Sequence, residues 1–297
     1  MGIVNKNNNS INIINDPNFP LPTPHSPLPT VHCPLPTPQF FICKNITKNY
    51  NNKAVVEDIS LELHEGGFIS LVGSSGAGKT TLFNVLSGVE KPDAGKVFLN
   101  GEDITGVSGK VSYMLQKDLL LEYRTVIDNV ILPLLIKGEK KKKAREEAEK
   151  FFHMFGLSSY EKKYPNELSG GMRQRAALLR TCLASAGSFS VNEEQKHNPV
   201  ILLDEPFSAL DAITRRKMQS WYADIAAQMK ISTFFITHDV EEALMLSDTI
   251  YILNGRPGKI THKFEIQGKE EKDFSVSKIF VEQKKMVIDA IDSDISE

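Results

Sequence analysis

Residues 68 to 88 read FISLVGSSGAGKTTLFNVLSG, and this run indicates the architecture of the chain more clearly than any other. Its first part is almost continuously apolar, which is typical of a strand buried on both faces of a sheet. A glycine-rich turn follows, and then a helical pattern. The turn, Gly73 to Thr80, matches G-x-x-x-x-G-K-[ST], in which backbone N–H groups curl around phosphate oxygen atoms at the positive end of a helix. The run therefore predicts a strand, a phosphate-binding loop and a helix.

The residue types in this loop suit phosphate chemistry. Glycine permits backbone angles forbidden to other residues, so successive N–H groups can point inwards. Lys79 adds a point charge for the β- and γ-phosphates, and the hydroxyl of Thr80 is placed to ligate Mg²⁺. A chance glycine-rich turn is the alternative, and the strand before it and the helix after it argue against that. The predicted nucleotide contacts are Gly73, Ser74, Ser75, Gly76, Ala77, Gly78, Lys79, Thr80 and Thr81.

A second motif, VILLDEP at residues 200 to 206, is an apolar run that ends in two carboxylates. It places Asp204 and Glu205 at the carboxyl end of a buried strand, where the ligands of open α/β sheets gather. The first carboxylate suits water-mediated Mg²⁺ binding, and the second suits polarising the water that attacks a γ-phosphate. Together with the phosphate-binding loop, the motif predicts hydrolysis of a nucleoside triphosphate.

Several other short apolar runs are KVFLN, KVSYML, TFFIT and TIYIL, with helical patterns between several of them, which argues for a mixed α/β sheet. The segment from Asp118 to Leu168 is predicted to be helical. Its charged face, KGEKKKKAREEAEK, favours a solvated surface with ion pairs one turn apart, such as Lys142 with Glu146 and Glu146 with Lys150; a membrane-surface role is the alternative. The apolar positions that share the opposite face are Ala144, Ala148, Phe151, Phe152 and Phe155.

Composition limits the classes of function. Of 297 residues, 41% are apolar, which is enough for a sizeable core, and 37 acidic against 35 basic residues give no global field for nucleic acid. The cysteines, Cys33, Cys43 and Cys182, are few and odd in number, so we expect a reducing, cytoplasmic location. The stretch Val130 to Ile136 is far shorter than the roughly 20 apolar residues that span a bilayer. The start, MGIVNKNNNS, lacks the pattern of a secretion signal.

The first 39 residues differ in composition from the rest. They are rich in Asn and then in Pro, with PLPTPHS, PLPTVHC and PLPTPQF in succession from Pro20 to Phe40. Proline removes backbone donors and favours extended, solvated chain, so this leader is predicted to be a disordered tail. A proline-rich docking ligand and a mis-assigned start are the alternatives.

LSGGM at Leu168 to Met172, followed by RQRAALLRT, resembles the signature sequence of ATP-binding-cassette (ABC) ATPases. Four further elements agree with that family in their order along the chain. Gln116 stands at the position of the Q-loop glutamine, and Ser208 to Asp211 resembles the D-loop. His238 in ITHD resembles the switch histidine. Tyr50 precedes the phosphate loop, as does the aromatic residue on which family members stack adenine. The resemblance covers about residues 41 to 262.

The resemblance implies an α/β fold with a P-loop NTPase (RecA-like) core, an antiparallel β subdomain and an inserted α-helical subdomain. The domain organisation predicted from it is a leader at 1–39, a cassette at 40–265 and a C-terminal helical extension at 266–297. Within the cassette, the helical subdomain spans about residues 117–175. A polar loop at about 185–198 is longer than the family pattern, and we expect it to project from the end of the sheet opposite ATP.

The resemblance also implies a mechanism. In the family two cassettes face each other head to tail, and each ATP lies between the phosphate loop of one copy and the signature of the other. The short turn at Ser169, Gly170 and Gly171 would act on the partner's nucleotide, because it opens a helix whose N–H donors and dipole face the γ-phosphate. A structural role for His238 and an ordinary exposed aromatic at Tyr50 are the alternatives. The implied catalytic residues are Glu205, His238 and Gln116; the implied metal ligands are Thr80, Gln116 and Asp204; Asp211 and Tyr50 join the nucleotide contacts.

Within the family, the segments after Gln116 and around LNGRPGKI are similar to the ATPases of nitrate-, sulfonate- and taurine-type importers. This similarity implies a peripheral protein at the cytoplasmic face of the cell membrane. Its expected partners are a second copy, integral membrane permease subunits and, indirectly, a solute-binding protein, with no nucleic acid. An exporter ATPase and a soluble ABC ATPase without a transport role are the alternatives. Nothing in the sequence identifies the solute, because the solute would never touch this chain.

Overall fold

The computed structural model describes residues 40–185, 198–269, 271 and 273–293. The predicted leader at 1–39 and nearly all of the predicted polar loop before Val200 lie outside the described residues. The direction in which that loop projects therefore stays a prediction.

The strands of the described residues form two sheets. Their bounds are β1 Phe41–Tyr50, β2 Lys53–Leu63, β3 Phe68–Val72, β4 Ala94–Leu99, β5 Glu102–Asp103, β6 Ser112–Met114, β7 Val200–Asp204, β8 Ser232–Ile236, β9 Thr249–Asn254 and β10 Lys259–Glu265. The helices are α1 Lys79–Leu86, α2 Val126–Val130, α3 Leu132–Ile136, α4 Lys141–Phe152, α5 Gly170–Ala184, α6 Ala212–Gln228, α7 Val240–Leu246 and α8 Lys278–Ser293. Both apolar motifs are strands, as predicted.

The larger sheet has the strand order β10-β9-β3-β8-β7-β6. All neighbours from β9 to β6 are parallel, and only β10 runs antiparallel, on the outer side of β9. Because parallel strands end at the same edge, the residues after β3, β6, β7 and β8 meet there. These are the residues that carry the phosphate loop, Gln116, the acidic motif and His238. The mixed α/β class predicted from the sequence is therefore confirmed.

The central strands are buried on both faces, which explains their continuous apolar runs. In β7, Ile201 and Leu203 pack into a core with α5 and α6, whereas Leu202 points into a second core with α1. The second core also includes the inner face of the smaller sheet, which has the order β2-β1-β4-β5 and is antiparallel throughout. The helix α1, which follows the phosphate loop, is thus held between two sheets.

The helical stretch after Gln116 folds as predicted on its apolar side and differs in one ion pair. Ala144, Ala148 and Phe152 of α4 are buried. The predicted pair of Lys142 with Glu146 is present, at 4.0 Å. The predicted pair of Glu146 with Lys150 is not formed; Lys150 contacts Glu147 instead, at 2.5 Å. The lysine is exposed, and such surface pairs contribute little to stability.

Helices long and apolar enough to cross a bilayer are not found in the described part of the chain.

Candidate active site

The phosphate loop leaves β3 at Val72 and runs into α1. Gly76 and Gly78 have φ values of 82° and 93°, which favour glycine. A Cβ on Gly78 would lie 2.6 Å from Cγ1 of Val56, so the turn also needs glycine for space. Gly78 is the residue before the first turn of α1. The loop therefore presents free backbone N–H groups at a helix N-terminus, the arrangement that binds phosphate.

Lys79 lies across this loop. Its ammonium donates to the carbonyl of Gly73 at 2.8 Å and to the carbonyl of Ser74 at 2.9 Å. Burial lowers the pKa of the lysine below its ordinary value, and the charges of Glu205 and Asp204 act in the opposite direction. The two carboxylates of the acidic motif are thus close enough to Lys79 to affect its titration.

Asp204, the last residue of β7, faces the start of α1. Its Oδ2 accepts a hydrogen bond from the hydroxyl of Thr80 at 3.2 Å and another from the hydroxyl of Tyr113 at 3.3 Å. Burial raises the pKa of Asp204, while the hydrogen bond from Thr80 opposes the shift and the charge of Glu205 adds to it. A cation beside this carboxylate would lower its pKa again.

Glu205 lies at the centre of the site. Its φ is 45°, in the left-handed region that residues other than glycine seldom adopt. Its N–H donates to the carbonyl of Ile236 at 3.0 Å, and its own carbonyl accepts from the hydroxyl of Ser208 at 3.0 Å. One carboxylate oxygen accepts from Nε2 of Gln116 at 2.9 Å, and the other lies 3.1 Å from Nδ1 of His238. The structure thus brings the three predicted catalytic residues together around one carboxylate.

The signature residues lie at the exposed start of α5. Ser169 precedes the helix, and its hydroxyl accepts from the backbone N–H of Met172 at 3.3 Å. Further along α5, the guanidinium of Arg173 donates to both oxygens of Asp118, at 2.9 Å and 3.2 Å, and to Glu122 at 2.8 Å. Within the described residues of this single chain, no hydrogen bond joins the signature turn to the phosphate loop. The segment after Gln116 is instead tied to the signature helix.

Two predicted nucleotide contacts lie at the margins. The carboxylate of Asp211 accepts from the backbone N–H groups of Ile213 and Thr214, both at 3.1 Å, and so caps α6. Tyr50, at the end of β1, is 41% exposed as a residue, and its hydroxyl bonds to Glu90. An exposed ring is available for stacking, and the adenine contact stays a prediction.

Sequence reasoning missed Tyr113 and Asn254. Tyr113 is on β6, in register with Leu202 of β7, so its hydroxyl reaches Asp204 across two neighbouring strands. Asn254, the last residue of β9, accepts a hydrogen bond from the backbone N–H of Ser74 at 3.4 Å. Tyr113 lies three residues before Gln116 in an apolar run, and its polar hydroxyl within that run could have marked it as a site residue. No local pattern pointed to Asn254.

Comparisons with known proteins place the chain in a family. A family model described as ABC transporter matches residues 56–208. The chain is 40% identical over 207 residues to a formylaminopyrimidine import ATP-binding protein of Halalkalibacterium halodurans, with 70% of this chain and 76% of that protein covered. It is 36% identical over 222 residues to an aliphatic sulfonates import ATP-binding protein of Bacillus cereus, with coverages of 75% and 82%.

A solved structure agrees with these relatives. It is the dimeric post-hydrolysis state of an ATP-binding cassette bound to ADP and Pi, and it matches with a TM-score of 0.62 at 27% identity over 77% of this chain and 100% of that one. The chain belongs to the ABC transporter family, as one of its ATP-binding proteins. It is an ATP hydrolase with the predicted P-loop NTPase fold of an ABC cassette.

Proposed function

We propose that this chain is the ATP-hydrolysing subunit of an ABC importer, which powers uptake of a small solute through a separate membrane permease. The observation that carries the hydrolytic part is the position of Glu205. Both of its carboxylate oxygens are held, by Gln116 and by His238, at the sheet edge from which the phosphate loop leaves. A carboxylate so placed acts as the base that polarises an attacking water.

In this proposal the triphosphate binds along the loop from Gly73 to Thr81. Backbone N–H groups at the start of α1 bind the phosphate oxygens, and the ammonium of Lys79 turns from two loop carbonyls to the β- and γ-phosphates. A water molecule attacks the γ-phosphorus in line with the leaving oxygen, and Glu205 accepts a proton from that water. Gln116 and His238 fix the direction of that carboxylate. Tyr50 stacks on the adenine.

The residues at this edge also fit Mg²⁺. Thr80, Asp204 and Gln116 offer a hydroxyl, a carboxylate and an amide oxygen, which are the hard ligands this ion prefers. Groups of three or more His, Cys, Asp or Glu side chains placed to hold a metal are not found among the described residues, so the nucleotide's own oxygens would complete the coordination. Bound there, Mg²⁺ would neutralise charge that builds up on the phosphates.

Tyr113→Phe tests the metal part of this proposal. The change removes only the hydroxyl that donates to Asp204 at 3.3 Å, and we expect the Mg²⁺ concentration for half-maximal turnover to rise several-fold, up to about tenfold, because outer partners orient metal ligands. ATP binding without Mg²⁺ should stay as in the parent chain. The measurement is turnover and nucleotide binding across a Mg²⁺ titration.

The matched control is Tyr251→Phe, which removes a hydroxyl bonded to the backbone of Glu62 at 3.4 Å, away from the acidic motif. It should leave the Mg²⁺ dependence unchanged. A parental Mg²⁺ dependence in Tyr113→Phe would remove Tyr113 from the support of the metal site.

The proposal includes a second copy of the chain. The exposed signature turn of Ser169, Gly170 and Gly171 opens a helix of 15 residues, so its N–H groups are free to face a γ-phosphate held by a partner. The solved relative bound to ADP and Pi is a dimer. ATP then joins two cassettes, and loss of the shared γ-phosphate contacts lets them part. Asp211, whose carboxylate caps α6, is proposed to contact the nucleotide at that interface.

The direction of transport and the solute class rest on the relatives. Proteins named for import of formylaminopyrimidine and of aliphatic sulfonates are 40% and 36% identical to this chain. We therefore propose that the chain lies at the cytoplasmic face of a membrane and that permease subunits bind its helical subdomain at about 117–175. In this proposal the cassette at 40–265 follows a leader at 1–39 and precedes a C-terminal extension at 266–297. The solute is a small nitrate-, sulfonate- or taurine-like compound or a related organic molecule.

The test is purification of the complex from membranes of the native host. We expect an integral membrane permease and, on mild crosslinking, a solute-binding protein to co-purify. A permease without any solute-binding protein would favour export, and recovery of the ATPase without membrane subunits would overturn the transport role. Binding assays on the recovered solute-binding protein then narrow the solute.

A further inference from the structure

The end of β9 and the turn after it lie directly against the phosphate loop. A Cβ on Gly73 would lie 1.9 Å from the carbonyl oxygen of Leu253, and a Cβ on Gly258 would lie 2.0 Å from the carbonyl oxygen of Ala77. Real Cβ atoms do not approach so closely, so the two backbones touch at both ends of the loop with no side chain between them. A displacement of this turn therefore displaces the phosphate loop.

The turn is itself fixed from the other side. Gly258 donates its N–H to the carbonyl of Val55 at 2.9 Å, and its carbonyl accepts from the N–H of Glu57 at 3.0 Å. Both residues belong to β2, in the smaller sheet. The phosphate loop thus rests on a turn that is anchored at its far end.

Asn254, the last residue of β9 before this turn, is 2% exposed. Its Oδ1 accepts from the backbone N–H of Ser74 at 3.4 Å, and its Nδ2 donates to the backbone carbonyl of Ile291 in α8 at 3.4 Å. The partners fix the orientation of the carboxamide, since an N–H needs an acceptor and a carbonyl needs a donor. Both bonds are long, but the group is buried, where an unsatisfied amide is costly. One side chain thus joins the phosphate loop to the C-terminal helix.

The helix α8 is seated on the elements that lead into the site. Phe280 and Val287 pack in one apolar cluster with Val72, the residue directly before Gly73. Lys284 pairs at 2.5 Å with Glu241, which lies in the first turn of α7, three residues after His238. The helix α8 therefore packs beside the strand that leads into the phosphate loop and pairs with the helix that follows His238.

We infer that Asn254 is a positioning residue of the ATP site, whose carboxamide, held against the C-terminal helix, sets the geometry of the phosphate loop at Ser74. The inference rests on the proposed binding of ATP at that loop. Asn254 touches neither nucleotide nor water in this account; it holds the Ser74 end of the loop at the spacing that phosphate requires. A purely structural role would lower stability and leave nucleotide affinity alone, so the two are separable.

The chain offers a matched control in Gln283. This side chain of α8 also makes two hydrogen bonds through its carboxamide. Its Oε1 accepts from the N–H of Gln267 and its Nε2 donates to the carbonyl of Gln267, both at 3.0 Å. It anchors α8 to the segment after β10 rather than to the phosphate loop. Gln283→Leu and Asn254→Leu therefore each remove one amide anchor of the same helix, and only the second touches the loop.

The experiment measures KM for ATP, kcat and thermal unfolding without nucleotide for the full-length parent, Asn254→Leu, Asn254→Ser and Gln283→Leu. We expect both Asn254 variants to raise KM about twofold to tenfold, the effect of one lost hydrogen bond, with kcat close to the parent. Gln283→Leu should lower the unfolding temperature and leave KM unchanged. The serine variant serves if the leucine variant does not fold.

Two results would overturn the inference. Parental KM in both Asn254 variants, or an equal rise of KM in Gln283→Leu, would mean that Asn254 only stabilises the fold. Lys79→Ala, run beside them, separates this from failure of the proposed function. If Lys79→Ala also leaves ATP affinity unchanged, the proposed nucleotide site is wrong. If Lys79→Ala weakens ATP binding while both Asn254 variants keep the parental KM, only the inference about Asn254 is wrong.

Discussion

Glu205→Gln is expected to bind ATP as the parent chain does and to hydrolyse it about 10²- to 10⁴-fold more slowly, the contribution of a positioned general base. The amide has nearly the shape of the carboxylate and keeps one acceptor oxygen, so a contact with Gln116 or His238 survives. It cannot take a proton from water. The measurements are phosphate release under saturating Mg-ATP and equilibrium binding of ATP.

A second readout of the same variant is its association state. Because ATP is proposed to join two cassettes and its hydrolysis to release them, a slow variant accumulates the ATP-bound pair. Glu205→Gln with ATP should therefore elute as a dimer, and with ADP as a monomer. Glu102→Gln is the control, because that side chain forms only a surface pair with Lys110 at 3.0 Å. Turnover near the parental rate in Glu205→Gln would contradict the assignment of the base.

Local patterns were enough to predict the parts of the site that lie within one strand and its following turn. The loop from Gly73 to Thr80 and the pair Asp204 and Glu205 each combine a buried apolar run with the residues directly after it. A strand buried on both faces must be central, and the carboxyl ends of parallel central strands share one edge. The sequence therefore placed both motifs at one site without knowledge of the strand order.

Contacts between distant parts of the chain were not predictable in this way. Tyr113 and Asp204 are 91 positions apart, and Ser74 and Asn254 are 180 apart. Both contacts depend on which strand neighbours which, since β6 lies beside β7 and β9 lies beside β3. Periodicity gives the face of a strand but not its neighbours, so a buried Asn at a strand end has no recognisable signal until the sheet is assembled.

The backbone of Glu205 is a further feature that the sequence did not reveal. Successive residues of a strand point to opposite faces, so the run VILLDEP alone would direct Asp204 and Glu205 apart. The φ of 45° at Glu205 breaks that alternation, and both carboxylates act on Lys79. A left-handed glutamate costs about 1–3 kcal/mol, which the hydrogen bonds to Ile236 and Ser208 offset. Strain of this kind is expected at a working site, where geometry is held against local preference.

Lys79→Ala is the second change with a large expected effect. The ammonium is half-buried at the loop and lies within 2.9 Å of two of its carbonyl oxygens, and in the proposed complex it exchanges them for phosphate oxygens. A charge-assisted hydrogen bond contributes about 1.5–3 kcal/mol, so we expect ATP affinity to fall by about tenfold to a hundredfold. Isothermal titration with ATP, with and without Mg²⁺, measures the change.

The difference between a lost contact and a damaged loop is measurable in this variant. Removing the side chain of Lys79 also leaves the carbonyls of Gly73 and Ser74 without its ammonium. Water at the loop can replace these hydrogen bonds, so the stability of the nucleotide-free chain should change little. The nucleotide-free chain should therefore unfold near the parental temperature, whereas the rise in that temperature on adding ATP should shrink, because ligand stabilisation follows affinity. Lys110→Ala, which removes a surface lysine paired with Glu102, should keep the full ATP-dependent rise. An undiminished rise in Lys79→Ala would mean that phosphate binds elsewhere than at this loop.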